Sequence, residues 1–487
     1  MPLLTKSKYL VGLSCPKYLW MMFHDLDKIQ EFDLATEYVV KQGKIIGQLA
    51  KKLFPDGVDL PEDFSLNLKK TQELIKQRKT IFEAGIIAGD LYARADVLVP
   101  VKDALDIIEV KSSTKVKEEH IHDLSFQKYV YKLAGLKIRK CFLLHLNGKF
   151  VKKGEIEPKN FFAQEEVTAE VHEAIVGIQG RIDYMIKIIN SKEAPIVGIG
   201  NGCHNGFECV SEDCWNFLPE GHVFELYRGG KRSLELFEAK VLCIKDIPDE
   251  FKLNDKQDIQ RKCARTGGVY IHKEGIRKFM SMLKYPLYYL DFETFMTAVP
   301  LYDGTKPYQQ IPFQFSLHVD NEKEVKHFEF LHTSKEDPRG KFLLELKKVL
   351  GNGGSVIVYN QPFEAMRLKE LALAFPAYKR WVEAVLKRMV DLMQPFRDFD
   401  YYNPAQKGSC SIKDVLPAVT GKSYKELEIA DGGSASVLYF EMMFNNVGNK
   451  EKIRRDLLEY CKLDTEGMVK IVSKLKELTS VRVVSSR

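Results

Sequence analysis

Hydrophobic spacing divides the chain into two α/β stretches. In the first, Leu34, Tyr38, Ile45, Ile46, Leu49 and Leu53 recur near helical spacing and predict an amphipathic helix over 34–54. Phe54-Pro55-Asp56-Gly57 ends it as a turn signal. Residues 5–24 read as a short helix containing Cys15-Pro16. Apolar runs at 81–88, 92–99 and 104–110 read as strands. A helix over 122–133, a strand over 138–146 and one long helix over 165–190 complete a mixed α/β unit.

Residues 218–284 read as a connecting region, with a strand at 239–244 and helices at 256–265 and 273–283. A second α/β unit spans 285–476. Its expected strands are 287–292, 313–319, 326–331 and 355–360. Its expected helices are 338–350, 362–374, 377–390 and 450–475. Residues 477–487 read as a flexible tail.

With 487 residues, the chain is too long for one ordinary core, which agrees with domains at 1–217 and 285–476. Hydrophobic content of 45% and charged content of 29% are those of a soluble globular protein. No apolar run reaches the length of a membrane span, and Met1–Lys8 lacks a signal-peptide core. The expected location is therefore cytoplasmic, with reduced thiols. A net charge of +6 permits a nucleic-acid partner without arguing for one.

The chemistry lies in two acidic constellations. The first is Asp96, then Glu109-Val110-Lys111, then Gln127 and Tyr131. Glu109 and Lys111 are two apart on a strand and share a face. A hairpin turn near 100–103 brings Asp96 beside Glu109. The two carboxylates can share Mg²⁺ or Mn²⁺, with the Val110 carbonyl completing its shell. Lys111 can orient or deprotonate an attacking water. Gln127 and Tyr131 lie one helical turn apart and could hold a phosphate.

The second constellation is Asp291-Phe292-Glu293, then Asn360 and Glu364, then Tyr460 and Asp464. An apolar strand presents Asp291 and Glu293 on one face. Pro362 suits a helix start, and Tyr460 and Asp464 face together at helical spacing. Cys203, Cys209 and Cys214 fall within twelve residues, with Cys15 far away in the sequence. In a reduced compartment such a set points to a soft metal. The other five of the nine cysteines read as core residues, and His204 reads as a solvated loop residue.

On these residues, 1–217 resembles the RecB-like branch of the PD-(D/E)XK nucleases. That branch carries a Gly-x-x-x-His motif on an early helix. Here the stretch is Gly43-Lys44-Ile45-Ile46-Gly47, and Gly47 stands where the histidine would be. The resemblance implies a restriction-endonuclease-like mixed sheet. It also implies a [4Fe–4S] cluster on Cys15, Cys203, Cys209 and Cys214, with zinc as the runner-up. The second half resembles DnaQ-like 3′–5′ exonucleases of the DEDD class, with an RNase H-like fold. There Asp291, Glu293 and Asp464 would hold two metals, Tyr460 would orient the water, and Glu364 replaces the second aspartate. The expectation is a two-site, metal-dependent nuclease acting on DNA in repair, recombination or defence. The alternatives are an RNA-processing exoribonuclease and a nucleic-acid-binding scaffold with a silent site.

Overall fold

The structure is a computed structural model that describes residues 3–200, 203, 209, 214–445 and 447–479. His204 and residues 480–487 of the expected tail lie outside the described residues, while 477–479 are not tail but the last turn of helix Lys450–Thr479. The fold is mixed α/β, with one mixed sheet in each of two compact units. The first unit comprises Met1–Asn216 and Thr297–Gln309, and the second Phe217–Met296 and Gln310–Arg487. The short segment Thr297–Gln309, which the sequence places in the second domain, therefore belongs with the first. Gln42 accepts a hydrogen bond from the Ala298 N–H at 2.9 Å, and Lys152 pairs with Asp303 at 2.7 Å.

In the first unit the strands are β1 Leu4–Thr5, β2 Val58–Asp59, β3 Ile81–Ala88, β4 Leu91–Val101, β5 Ala104–Lys111, β6 Ile138–Leu146 and β7 Phe162–Glu166. They form one sheet in the order β2-β3-β4-β5-β6-β7, with β1 paired to β4. β3, β4 and β5 are antiparallel neighbours, whereas β5 and β6 run parallel. Side chains of β5 alternate between faces. Leu105 and Ile107 enter a core with Phe126 and Val130 of helix Glu118–Leu133. Ile108 and Val110 enter a separate core with Ile46 and Ala50 of helix Leu34–Lys51. Glu109 and Lys111 keep the parity of Ile107, so they face helix Glu118–Leu133.

Three sequence expectations change here. The helix over 5–24 is two, Lys6–Ser14 and Pro16–His24. Cys15 between them is extended at φ −153°, as the residue before a proline tends to be. The helix over 165–190 is also two, Thr168–Ile175 and Ile178–Ile189, separated at Gly177 with φ +73°. Helix Phe64–Lys76 was not anticipated, because its inward face is polar: Asn67 and Thr71 are buried and bond the Gly85 N–H.

In the second unit β8 Tyr270–Ile271 precedes the main strands β9 Leu287–Phe295, β10 Ile311–Asp320, β11 Val325–Leu331, β12 Ser355–Val358 and β13 Met389–Asp391, and β14 Tyr401–Tyr402 pairs with β8. The sheet order is β11-β10-β9-β12-β13. β10 is antiparallel to β9 and β11, while β12 is parallel to β9 and β13. Tyr288, Leu290 and Phe292 pack with Phe342, Leu343 and Leu346 of helix Pro338–Val349. The opposite parity, Asp291 and Glu293, faces the C-terminal helix Lys450–Thr479. The expected strand at 239–244 is absent: Lys240 is left-handed at φ +65°, and the chain makes only an isolated bridge at Cys243 before the 3₁₀ turn Ile244–Asp246. Helices Ile412–Thr420 and Gly432–Phe444 were not anticipated.

Candidate active sites

The first constellation assembles where the end of β5 lies beside the middle of β4. The Val110 N–H donates to Asp96 Oδ2 at 2.7 Å. Lys111 Nζ donates to Glu109 Oε1 at 2.8 Å and to Asp123 Oδ2 at 2.5 Å. Gln127 Nε2 donates to Glu109 Oε2 at 2.7 Å and to Asp123 Oδ1 at 2.9 Å. Lys6 opens its helix and places Nζ 2.7 Å from Glu109 Oε1. The same nitrogen lies 3.9 Å from both Asp96 Oδ1 and Asp123 Oδ1. Sequence reasoning missed Lys6 and Asp123. Asp123 carried a signal, since Asp123, Gln127 and Tyr131 follow at four-residue steps on one helix face.

Burial and the neighbouring Glu109 push Asp96 up to about 7. Burial acts the same way on Glu109, but Lys111 and Lys6 outweigh it and hold its carboxyl below the usual range. Burial lowers Lys111, yet Glu109 and Asp123 raise it above an ordinary lysine. Lys111 is thus held as a cation, placed to orient a water. Tyr131 is fully buried, donating to the Ala84 carbonyl at 2.5 Å and accepting from the Ala95 N–H at 3.2 Å. It ties β3 to β4 and does not reach a phosphate. Gln127, also fully buried, holds two carboxylates in place. Asp96, Glu109, Val110 and Lys111 line a cavity of about 680 Å³ together with Gly43, Gly47, Lys44 and Arg94. A Cβ at Gly47 would meet nothing within 4 Å, so the place of the missing histidine is open space beside the carboxylates.

Cys15, Cys203 and Cys214 draw together from both ends of the first unit's sequence. Burial first, then the Cys203 and Cys214 thiols, raise the Cys15 thiol. Lys17 Nζ donates to Cys214 Sγ at 3.3 Å. The donor set fits a soft metal.

The second constellation lies between β9, the end of β12 and the C-terminal helix. Asp291, Glu293 and Cys461 have donor atoms all within 4.8 Å of one another. Cys461 Sγ stands 3.6 Å from Asp291 Oδ2. Asp464, one helical turn below Tyr460, accepts a 2.6 Å hydrogen bond from the Tyr424 hydroxyl. Asn360 is left-handed at φ +74°, and its N–H donates to Asp391 Oδ1 at 3.1 Å. Glu364 follows in the first turn of helix Gln361–Ala374, 2% exposed, with Oε2 unpartnered.

Burial raises all four carboxyls. Asp464 and Glu293 push Asp291 up further, and Asp464 does the same to Glu293. Glu364 reaches about 8 and Asp464 about 6. Burial, then Asp464, also raises the Tyr460 hydroxyl. Lys413, which lowers Glu293 and Asp464, has Nζ 5.8 Å from the centre of the Tyr460 ring. Three buried carboxyls and the half-buried Asp291, which repel one another, one with an unpartnered oxygen, fit a divalent cation. Tyr424, Lys413 and Cys461 were missed as site residues.

Residues 288–411 match a family described as a domain of unknown function (DUF2779). That stretch includes Asp291, Glu293, Asn360 and Glu364 but not Tyr460 or Asp464. The chain is similar to uncharacterized protein UU173 of Ureaplasma parvum, 29% identical over 224 residues, which is 40% of this chain and 32% of that protein. It is likewise similar to the uncharacterized protein MG366 homolog of Mycoplasma pneumoniae, 29% identical over 234 residues, 42% of this chain and 35% of that protein. The chain spans about a third of the length of the curated relatives it matches. Among the described residues no helix is long and apolar enough to cross a membrane.

Proposed function

We propose that this protein is a metal-dependent nuclease whose principal site is a 3′–5′ exonuclease centre in the second unit, acting on DNA. The observation that carries the reading is the convergence of Asp291, Glu293, Glu364 and Asp464. They come from one strand and two helices, and burial raises every one of them. A buried set of this kind is unfavourable unless a cation is present.

Bound Mg²⁺ or Mn²⁺ would polarise a phosphate and acidify water. The chain's own residues do the rest. Asp291, Glu293 and Asp464 would hold the ion, with Glu364 accepting from its water shell. Tyr460, kept protonated by its surroundings, can donate a hydrogen bond that aligns the attacking water. Lys413 supplies positive charge beside Tyr460 for the phosphate. The mixed five-stranded sheet, with acids arriving on its first strand and last helix, supports an RNase H-like reading and the DnaQ-like resemblance.

The first unit is read as a RecB-like nuclease module with a [4Fe–4S] cluster on Cys15, Cys203, Cys209 and Cys214. Zinc on the same four sulfurs is the runner-up. One observation favours a second reading for this unit, a nucleic-acid-binding module with a silent site: Lys6 and Lys111 already neutralise Glu109. The test is removal of nucleotides from a 5′-labelled single strand in Mn²⁺. A ladder shortening from the 3′ end, lost in Asp291→Ala, supports the proposal. No cleavage of DNA or RNA under any divalent ion refutes it.

A further inference from the structure

Glu109 has little room left for a metal. A carboxylate offers about four lone-pair sites on two oxygens. Lys6 and Lys111 both donate to Oε1, and Gln127 donates to Oε2. Asp96 spends Oδ2 on the Val110 N–H. Lys6 Nζ is 3.9 Å from Asp96 Oδ1 and 2.7 Å from Glu109 Oε1, so it bridges the two carboxylates. Its side chain is 23% exposed, against 1% for Glu109. The ammonium therefore sits on the carboxylates from a solvent-reachable side.

We propose that Lys6 is the resident cation of the first site: its ammonium holds the position between Asp96 and Glu109 that a divalent ion would take, and a metal binds there only by displacing it. The inference rests on reading Asp96 and Glu109 as nuclease carboxylates. Two ammoniums, Lys6 and Lys111, already share Glu109 Oε1, and a divalent ion added beside both would meet strong repulsion at low local dielectric. Gly47 adds no ligand that would help a metal compete. A flexible lysine stem lets the ammonium swing away, and a substrate phosphate is the group best able to receive it. The first site is then closed to metal at rest and opens with the nucleic acid in place.

The experiment is Mn²⁺ binding to the full chain, followed by the electron paramagnetic resonance of free Mn²⁺. Asp291→Asn and Asp464→Asn silence the second site in every sample. Lys6→Met should tighten binding at the first site by about tenfold or more. Lys6→Arg, which keeps the charge, should leave binding weak. Glu109→Gln added to Lys6→Met should abolish the gain. Lys6→Gln gives the same comparison if the methionine variant does not fold. Unchanged or weaker Mn²⁺ binding in a folded Lys6→Met or Lys6→Gln protein overturns the inference. Cleavage is scored separately on the same samples. Tighter Mn²⁺ binding without cleavage upholds the role of Lys6 while counting against nuclease activity at this site.

Discussion

The Tyr424 hydroxyl donates a 2.6 Å hydrogen bond to Asp464 Oδ1, a contact between residues 40 positions apart. Burial drives Asp464 up to about 6, and this hydrogen bond works against it. Tyr424→Phe removes the stabilisation of the charged form, so Asp464 moves up further. The acidic limb of the exonuclease pH profile should shift to higher pH, with a loss of about tenfold near pH 6 that shrinks above about pH 8. Initial rates across that range check this, and an unmoved limb would remove Tyr424 from the site.

The raised carboxyls also make stability depend on pH. In the unfolded chain Glu364 and Asp464 titrate near the ordinary carboxylate values, about 4. In the folded chain they sit near about 8 and about 6. Folding therefore favours the protonated forms. Their contribution is fully present below about pH 4 and is lost as pH rises through about 6 and then about 8. With chelator present, calorimetry should show the second unit melting lower at pH 9 than at pH 5. Mn²⁺ should restore stability most at the higher pH. Glu364→Gln should flatten the curve above about pH 7. A flat curve in the wild type would mean that these groups do not titrate as their burial implies.

Tyr131→Phe separates a structural role from a functional one. Its hydroxyl satisfies a buried carbonyl and a buried N–H. Losing it should destabilise the first unit by about 1–3 kcal/mol in denaturant unfolding. Mn²⁺ binding should not change. Weakened metal or nucleic-acid binding at unchanged stability would return Tyr131 to the site.

Much of this was legible in the sequence. Strand alternation put Glu109 with Lys111 and Asp291 with Glu293 on shared faces, and helical spacing paired Tyr460 with Asp464. The breaks were less legible. Cys15 divides two helices because Pro16 forces it out of the helical region, although the apolar spacing runs through. The unseen site residues are those whose partners lie far along the chain. Lys6 meets Glu109 across 103 positions, and no local pattern marks that contact. Tyr424 sits in a turn region with no periodicity. Helix Phe64–Lys76 hid because it buries an asparagine and a threonine where a core face usually carries aliphatics.

The cysteine set has its own test. Protein purified without oxygen should be brown and carry iron on Cys15, Cys203, Cys209 and Cys214. Cys15→Ser should lower iron content and the melting temperature of the first unit, since metal-binding energy is folding energy. Zinc at one per chain would reassign the site, and a metal-free protein of unchanged stability would remove it.

The most direct measurement is hydrolysis of end-labelled single- and double-stranded DNA and RNA by wild type, Asp291→Ala, Glu109→Ala and the double variant. Loss of a ligand to the catalytic ion should abolish 3′–5′ digestion in Asp291→Ala, whereas Tyr460→Phe should lose only about ten- to a hundredfold. Glu109→Ala should leave that digestion intact. Any residual cutting in Asp291→Ala should favour Mn²⁺ and vanish in the double variant. Wild-type exonuclease rates in Asp291→Ala would contradict the assignment of the second site.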